Sequence, residues 1–298
     1  MSSPEAFRLR SLSVVLPAYN EQEAIISVLE DIVAYLAQRD VPYEVIVVDD
    51  GSTDATASLV QDYAARHSQV RLVQHQHNKG YGEALRTGFT AAQHDWILLM
   101  DSDGQFDIAT LTEFIPLAEE HDFVIGRRSQ RSDSLARSVL TAGYNGLVWL
   151  LLGLSYDAGC AFKLFRRSWW EKVQPIRSTD HKIFSVEVLW RAKRTGARIV
   201  ERPVQHFARR GGTATGAGWH TIGPMLKALL RLWFEQVRHW LSSHRGQAAA
   251  LIIASAVSLF TLGLVAFAYH DGATGQSLAD SILTMWYRWD ALHYLQIA

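Results

Sequence analysis

Cys160 is the single cysteine among 298 residues, which excludes an intramolecular disulfide and fits a reducing compartment. Neither sign of charge dominates. The formal net charge of −1 gives no overall electrostatic case for nucleic acid. The start, Met1-Ser2-Ser3-Pro4-Glu5, has no basic stretch leading into an apolar one, so no signal peptide is expected. No G-x-G-x-x-G and no G-x-x-x-x-G-K-[ST] follows a predicted strand, which argues against a dinucleotide-dependent dehydrogenase and a P-loop nucleotide hydrolase. What remains is a chain long enough for one large domain or two modest ones.

Strand and helix patterns alternate along the first hundred residues. Ser13-Val14-Val15-Leu16 reads as a short strand stopped by Pro17. A helical period follows from Glu21 to Tyr35, with Ile25, Val28, Leu29 and Ile32 on one face. Glu44 to Val48 is a second strand, and Ser52 or Thr53 is placed to cap a helix running to about Arg66. Val70 to Val73, a helix over Gly82 to Ala92, and Trp96 to Met100 continue the alternation. The pattern predicts a mostly parallel sheet with right-handed crossovers, whose ligands sit at the carboxyl ends of the strands. The polar clusters fall there: Pro17 to Glu21, Asp49-Asp50, Asn78-Lys79-Gly80 and Asp101-Ser102-Asp103.

The last cluster carries the most chemistry. After the apolar run Ile97 to Met100, Asp101, Asp103 and Gln105 alternate beside Gly104, and their oxygens can converge on one hard divalent cation. Taken alone, a D-x-D is better explained by a polar loop. Its recurrence among polar strand ends favours a site, where a metal would neutralise a diphosphate in place of a glycine-rich cradle.

Ala248 to Tyr269 carries no charge and is just over twenty residues long, the length of a membrane-spanning helix. Before it, seven Arg and Lys between Arg202 and Arg245 face a lone Glu235, and after it come Asp271 and Asp280. The positive-inside rule then puts the first 246 residues on the cytoplasmic side and the tail outside. Thr221 to Leu241 is amphipathic, with Trp233 and Trp240 among its basic residues, and suits a membrane surface. Val139 to Leu154 is apolar but broken by Gly143 and Gly146, so it is either a core helix or one that dips into the membrane interface.

The motifs V-V-L-P-A-Y-N-E at 14–21, V-V-D-D-G-S-T-D at 47–54, N-K-G-Y-G-E-A-L-R-T-G-F at 78–89 and M-D-S-D-G-Q at 100–105 resemble the family 2 glycosyltransferases. D-A-G-C-A-F-K-L-F-R-R at 157–167 and F-A-R-R-G-G-T at 207–213 resemble polyprenyl-phosphate hexose synthases of the dolichol-phosphate mannose synthase type. The resemblance spans roughly residues 12 to 215. It implies a GT-A fold, a Rossmann-like α/β sheet flanked by helices. It further implies inverting transfer of a hexose from a nucleotide-sugar to a polyprenyl phosphate at the membrane.

Carried over by position, Pro17, Tyr19, Glu21 and Asp50 would border the nucleoside. Asp101, Asp103 and Gln105 would hold Mg²⁺ or Mn²⁺ against the diphosphate. Asp103, Arg127 and Arg209 would be catalytic, near the diphosphate and the acceptor phosphate. Arg210 competes with Arg209 for the acceptor, Arg128 and Arg131 compete with Arg127, and Lys79 is either a substrate contact or a solvated loop charge. Arg166 and Arg167 read as closing a strand, Cys160 as packing, and His181 and His206 as surface or supporting residues. A phosphate monoester is already ionised at neutral pH, which explains why no histidine or glutamate stands out as a general base.

Trp289-Asp290-Ala291-Leu292-His293-Tyr294 resembles an external-loop segment of multi-span mannosyltransferases, so mannose from GDP-mannose is preferred and glucose from UDP-glucose is open. It also raises the expectation of a further membrane domain beyond the tail. The alternatives are a family 2 enzyme with a glycan or diphospholipid acceptor and a non-catalytic nucleotide-sugar binder. Gln236 to Trp240 nearly spells the Q-x-x-R-W of processive synthases with arginine one place early, and is read as coincidence.

Overall fold

A computed structural model describes residues 9–128, 135–179, 181–210, 222–243 and Ser255. The chain divides into two compact units, Met1–Trp233 and Phe234–Ala298. The first is built on seven strands: β1 Leu12–Ala18, β2 Tyr43–Asp49, β3 Val70–Gln74, β4 Trp96–Leu99, β5 Phe123–Arg128, β6 Lys163–Arg166 and β7 Ile199–Val204. Their order is β3-β2-β1-β4-β6-β5-β7. The first four are mutually parallel, β5 runs parallel to β7, and β6 alone among them is antiparallel to its neighbours. The expected mostly parallel sheet is therefore present, extended by a mixed half.

Alternation along the strands supplies two cores. Val14, Leu16, Val45, Val47 and Leu98 face one side and pack with Ile25, Leu29 and Ile32 of α1 (Ile25–Ala37) and Val60 of α2 (Thr56–Ala64). Val15, Ile46, Val48, Ile97 and Leu99 face the other, against Leu85 and Phe89 of α3 (Tyr81–Ala91) and Phe184 and Leu189 of α7 (His181–Arg194). Since both faces are covered, the strands read as unbroken apolar runs in the sequence.

Two local expectations are corrected. β1 does not stop at Pro17 but runs through it, with Pro17 opposite Val48. The reason is that β4 pairs with β1 only as far as Val15, so the proline nitrogen has no ladder acceptor to lose on that side. Neither Ser52 nor Thr53 caps α2: the N-cap position is Ala55, which has no side-chain cap bond, and Asp54 just before it accepts from Thr56 N through Oδ1 at 2.9 Å. Ser52 is diverted to the neighbouring loop, where its Oγ accepts from Asn20 N.

α4 (Leu111–Phe114) and α6 (Arg167–Lys172) are short. α5 (Leu135–Leu152) buries Val148 and Leu152 in the core, as a core helix would, while Trp149 and Leu150 are 61% and 70% exposed. α8 (Ile222–Ser242) matches the expected amphipathic helix, burying Leu229 and Leu232 and exposing Leu226, Leu230, Phe234, Trp240 and Leu241. Arg231, counted above among membrane-facing cations, pairs instead with Glu187 at 3.0 Å. Among the described residues no helix is long and apolar enough to cross a membrane. The expected span at 247–270 and the tail lie outside them, apart from Ser255.

Candidate active site

The strand order reverses direction between β1 and β4, and the carboxyl ends there open a crevice of the kind that binds ligands in such sheets. On the β1–β2 side, short polar side chains lash the loops together. Asn20, in the left-handed region at φ 55°, accepts from Thr53 N through Oδ1 and donates its own N–H to Ser52. Glu21 N donates to Thr56 Oγ1 at 2.9 Å, and Ala55 N donates to Gln22 Oε1 at 3.0 Å. Asp50 is nearly buried and accepts from Lys79 N, Gly80 N and His75. The side chain of Lys79 is exposed, so here its backbone is what engages the site.

On the β4 side the site is charged. Asp101 Oδ1 accepts from the Tyr81 hydroxyl at 2.8 Å, and Ser102 Oγ donates to Pro17 O at 2.7 Å. Gly104, at φ +74°, turns the chain, and the Arg210 side chain lies where a Cβ would stand. Gln105 N donates back to Asp103 Oδ1 at 3.0 Å. Burial pushes the Asp101 carboxyl above its usual range. Burial and the charge of Asp101 do the same to Asp103.

A strap from the second half crosses this loop. Phe207 N donates to Gln105 O, Gln105 Nε2 donates to Phe207 O, and Arg210 N donates to Asp103 O. The strap delivers the Arg209 guanidinium between two carboxylates, 2.7 Å from Glu21 Oε1 and 3.0 Å from Asp103 Oδ2. Glu21 is nonetheless raised to about 7, because burial, aided by Asp103 and Asp101, outweighs Arg209. Its Oε2 is buried without a hydrogen-bond partner. His206 lies against Phe106 and near Asp103, a supporting position as expected.

The floor of the site is cationic. Arg128 forks onto Asp157, with Nη2–Oδ1 2.9 Å and Nε–Oδ2 3.1 Å, and its charge bears on Asp101. Lys163 is buried, donates to Cys160 O, and has its pKa lowered by that burial. Cys160 is buried, with its thiol pushed up to about 11, in keeping with packing.

The structure thus brings together Pro17, Glu21, Asp101, Asp103, Gln105 and Arg209, with Asp50 on the adjoining strand end. Glu21 sits on the carboxylate side rather than with Asp50. Tyr19, half-buried, is in the β1 loop. Arg127 is exposed at the end of β5, and it is Arg128 that turns inward. Arg210 is committed to Asp31 at 2.8 Å and to Ser27. Arg131 and the side chain of His181 lie outside the described residues. Arg166 and Arg167 do close a strand, pairing with Asp122 and Glu171. The sequence reading missed Tyr81, His75, Asp157 and Lys163. Tyr81, Asp157 and Lys163 stood inside quoted motifs, whereas nothing around His75 marks it.

In the comparisons, the family model "Glycosyl transferase family 2" matches residues 13–191. A dolichyl-phosphate β-glucosyltransferase of Drosophila melanogaster is 34% identical over 204 residues, covering 61% of this chain and 62% of that protein. An undecaprenyl-phosphate 4-deoxy-4-formamido-L-arabinose transferase of Yersinia enterocolitica is 33% identical over 212 residues, covering 70% and 63%. The chain therefore spans somewhat less than two thirds of the length of these relatives. Glucosyl-3-phosphoglycerate synthase of Mycobacterium tuberculosis has the same fold, with a TM-score of 0.54 at 23% identity over 74% of this chain and 79% of that one. With the GT-A-like sheet, the D-x-D loop at its crevice and the matched motifs, the chain belongs to glycosyltransferase family 2.

Proposed function

We propose that this protein transfers a hexose, with inversion, from a nucleotide-sugar to a polyprenyl phosphate, and that the donor is UDP-glucose. The observation that carries the reading is the meeting of Asp101 and Asp103 with the Arg209 guanidinium at the mouth of the β1/β4 crevice. The relatives with glucosyl and formamido-arabinose names support a lipid-phosphate acceptor. They lend no support to mannose from GDP-mannose, so the earlier preference for mannose gives way to glucose.

The donor set fits a hard divalent ion. Among the described residues no group of three or more His, Cys, Asp or Glu gathers as a cage. A magnesium-class ion instead takes one or two protein carboxylates and draws its other ligands from phosphate and water. Asp103, buried, and Asp101, partly buried, both held up in pKa, would supply those two, with Gln105 beside them. When bound, Mg²⁺ or Mn²⁺ supplies electrostatic stabilisation for the charge growing on the departing nucleoside diphosphate. A related structure determined with Mn²⁺ and UDP-glucose supports that choice of partners.

The chain's own residues do the rest. Tyr81 fixes one oxygen of Asp101. Arg209, a planar fork already poised beside Asp103, binds phosphate oxygens of donor or acceptor. Arg128, held by Asp157, is the second cation, in place of the exposed Arg127. The acceptor oxygen is ionised before it arrives, so no side chain has to remove a proton. The exposed Trp149 and Leu150 of α5 and Leu226 and Leu230 of α8 suit a lipid surface, with Lys227 beside them, and the catalytic unit would face the cytoplasm.

The test is transfer of radiolabelled sugar from UDP-glucose and from GDP-mannose to a short polyprenyl phosphate, with Mn²⁺ or EDTA. Glucose transfer is expected, abolished by EDTA and reduced about 10³-fold or more in Asp103→Ala. Binding of both donors with no sugar reaching the lipid would overturn the acceptor assignment.

A further inference from the structure

The pair Asp50 and His75 is not used by any step above, yet it is a fully built polar cluster at the strand ends. His75 is 6% exposed and Asp50 4%. The backbone holds both in place: Asp50 N donates to Ala18 O at 2.8 Å and His75 N donates to Asp49 O at 2.9 Å. Gly51, at φ +71°, lets the segment at His77 and Asn78 pass where a Cβ would otherwise stand. His75 Nδ1 is 2.7 Å from Asp50 Oδ1, and a carboxylate can only accept there, so Nδ1 carries the proton. At the far side of the ring, Nε2 lies 2.9 Å from the Thr87 hydroxyl on α3, which fixes its orientation.

Counting lone pairs makes the carboxylate asymmetric. Oδ1 accepts twice, from His75 Nδ1 and from Lys79 N at 2.9 Å. Oδ2 accepts once, from Gly80 N at 2.8 Å. An ionised carboxylate oxygen takes about two in-plane hydrogen bonds. Asp50 therefore offers one free acceptor position, and it is on Oδ2.

That single position discriminates between bases. Guanine presents N1–H and its amino group side by side and uses both oxygens of a carboxylate. Uracil presents one N–H, at N3, between two carbonyls. Adenine and cytosine place a ring-nitrogen lone pair at the corresponding point, which a carboxylate repels. A site with one oxygen closed leaves the guanine amino group unpaired, and an unpaired buried polar group is what makes such discrimination steep.

We infer that His75 sets the nucleotide choice: by filling one oxygen of Asp50 it makes the nucleoside end of the crevice accept a single imide N–H, that of uridine, and reject guanosine. The inference rests on the proposed reading of the crevice as a nucleotide-sugar site, with the diphosphate at Asp101 and Asp103 and the nucleoside extending over β1 and β2. His75 acts through Asp50, and is a positioning residue.

Isothermal titration of the purified chain with Mn²⁺ and UDP, GDP or pyrophosphate tests it. Wild type is expected to bind UDP about tenfold or more tighter than GDP. In His75→Leu, which reopens Oδ1, the ratio should fall to within about threefold, while pyrophosphate binding is unchanged. His75→Asn, whose amide N–H replaces Nδ1–H, should restore the preference. Thr87→Val, which frees the ring to rotate, should give an intermediate ratio and serves if His75→Leu does not fold by thermal melting. A merely structural role would weaken UDP and GDP equally and leave the ratio where it was, which overturns the inference. Equal affinity of wild type for both nucleotides also overturns it. Pyrophosphate binding with neither nucleotide bound would instead bring down the nucleotide-sugar reading, and this inference with it.

Discussion

The carboxylates that brace the fold and those that line the crevice are treated in opposite ways. Glu44, at the amino end of β2 and so away from the crevice, and Asp54, in the loop after β2, are pushed upward by burial, but hydrogen bonds outweigh it and both end below their usual range. Glu44 accepts from Ser13, from Gln93 N and from Arg71, so every close neighbour is a donor. In the crevice, burial is not offset: Asp101, Asp103 and Glu21 all end above their usual range while sharing Arg209 between two of them. The first group is a finished scaffold. The second is short of donors, and that shortfall is what a cation and a polyphosphate would relieve. The difference separates residues that hold the fold from residues that pay for function.

Removing a carboxylate should therefore have opposite signs in the two groups. The largest effect is expected for Glu44→Ala, which strands Ser13, Arg71 and Gln93 N together and should cost about 3 kcal/mol in urea unfolding. A loss as small as that of an exposed ion pair would break the comparison. Smaller and opposite is Glu21→Gln in metal-free protein at pH 8, which should raise the melting temperature by about 2–4 °C.

The pH dependence follows from the same sign. A carboxyl raised to about 7 in the folded chain contributes stability that is complete below its ordinary value of 4.5 and lost as pH rises through about 7. Wild type should accordingly lose more metal-free stability between pH 5 and pH 8 than Glu21→Gln, as differential scanning fluorimetry would show. A steeper loss in the variant would contradict the assignment. The smallest effect sharpens the charged side further. Protons compete with Mn²⁺ for Asp101 and Asp103, whose carboxyls are held above their usual range, so its stabilising shift in melting temperature should grow as pH rises.

Much of this was legible in the sequence, because a strand buried on both faces writes an unbroken apolar run and its carboxyl end writes a polar cluster. That logic located β1 to β4, the D-x-D loop and the amphipathic α8. It misplaced the end of β1, since Pro17 breaks a strand only where a partner needs its N–H, and β4 had already ended. It misassigned the cap of α2, since Ser52 had a better acceptor role in a loop distant in sequence. Neighbouring arginines posed the same problem: alternation requires Arg127 and Arg128 to point to opposite sides of β5, but not which side is inward.

The sequence by itself determined the family, the layers of helix and strand, and the residue types at the strand ends, all of which follow from local periodicity and short-range spacing. Only the tertiary structure decided the sheet order with its antiparallel β6, the choice of Arg128 over Arg127, the delivery of Arg209 between Glu21 and Asp103, and the closing of one Asp50 oxygen by His75. Each of these joins residues 25 to 188 positions apart or depends on which neighbour a strand finds. Hydrogen bonds and ion pairs act over a few ångströms of space, and until the chain is folded no local pattern specifies which distant group will arrive there.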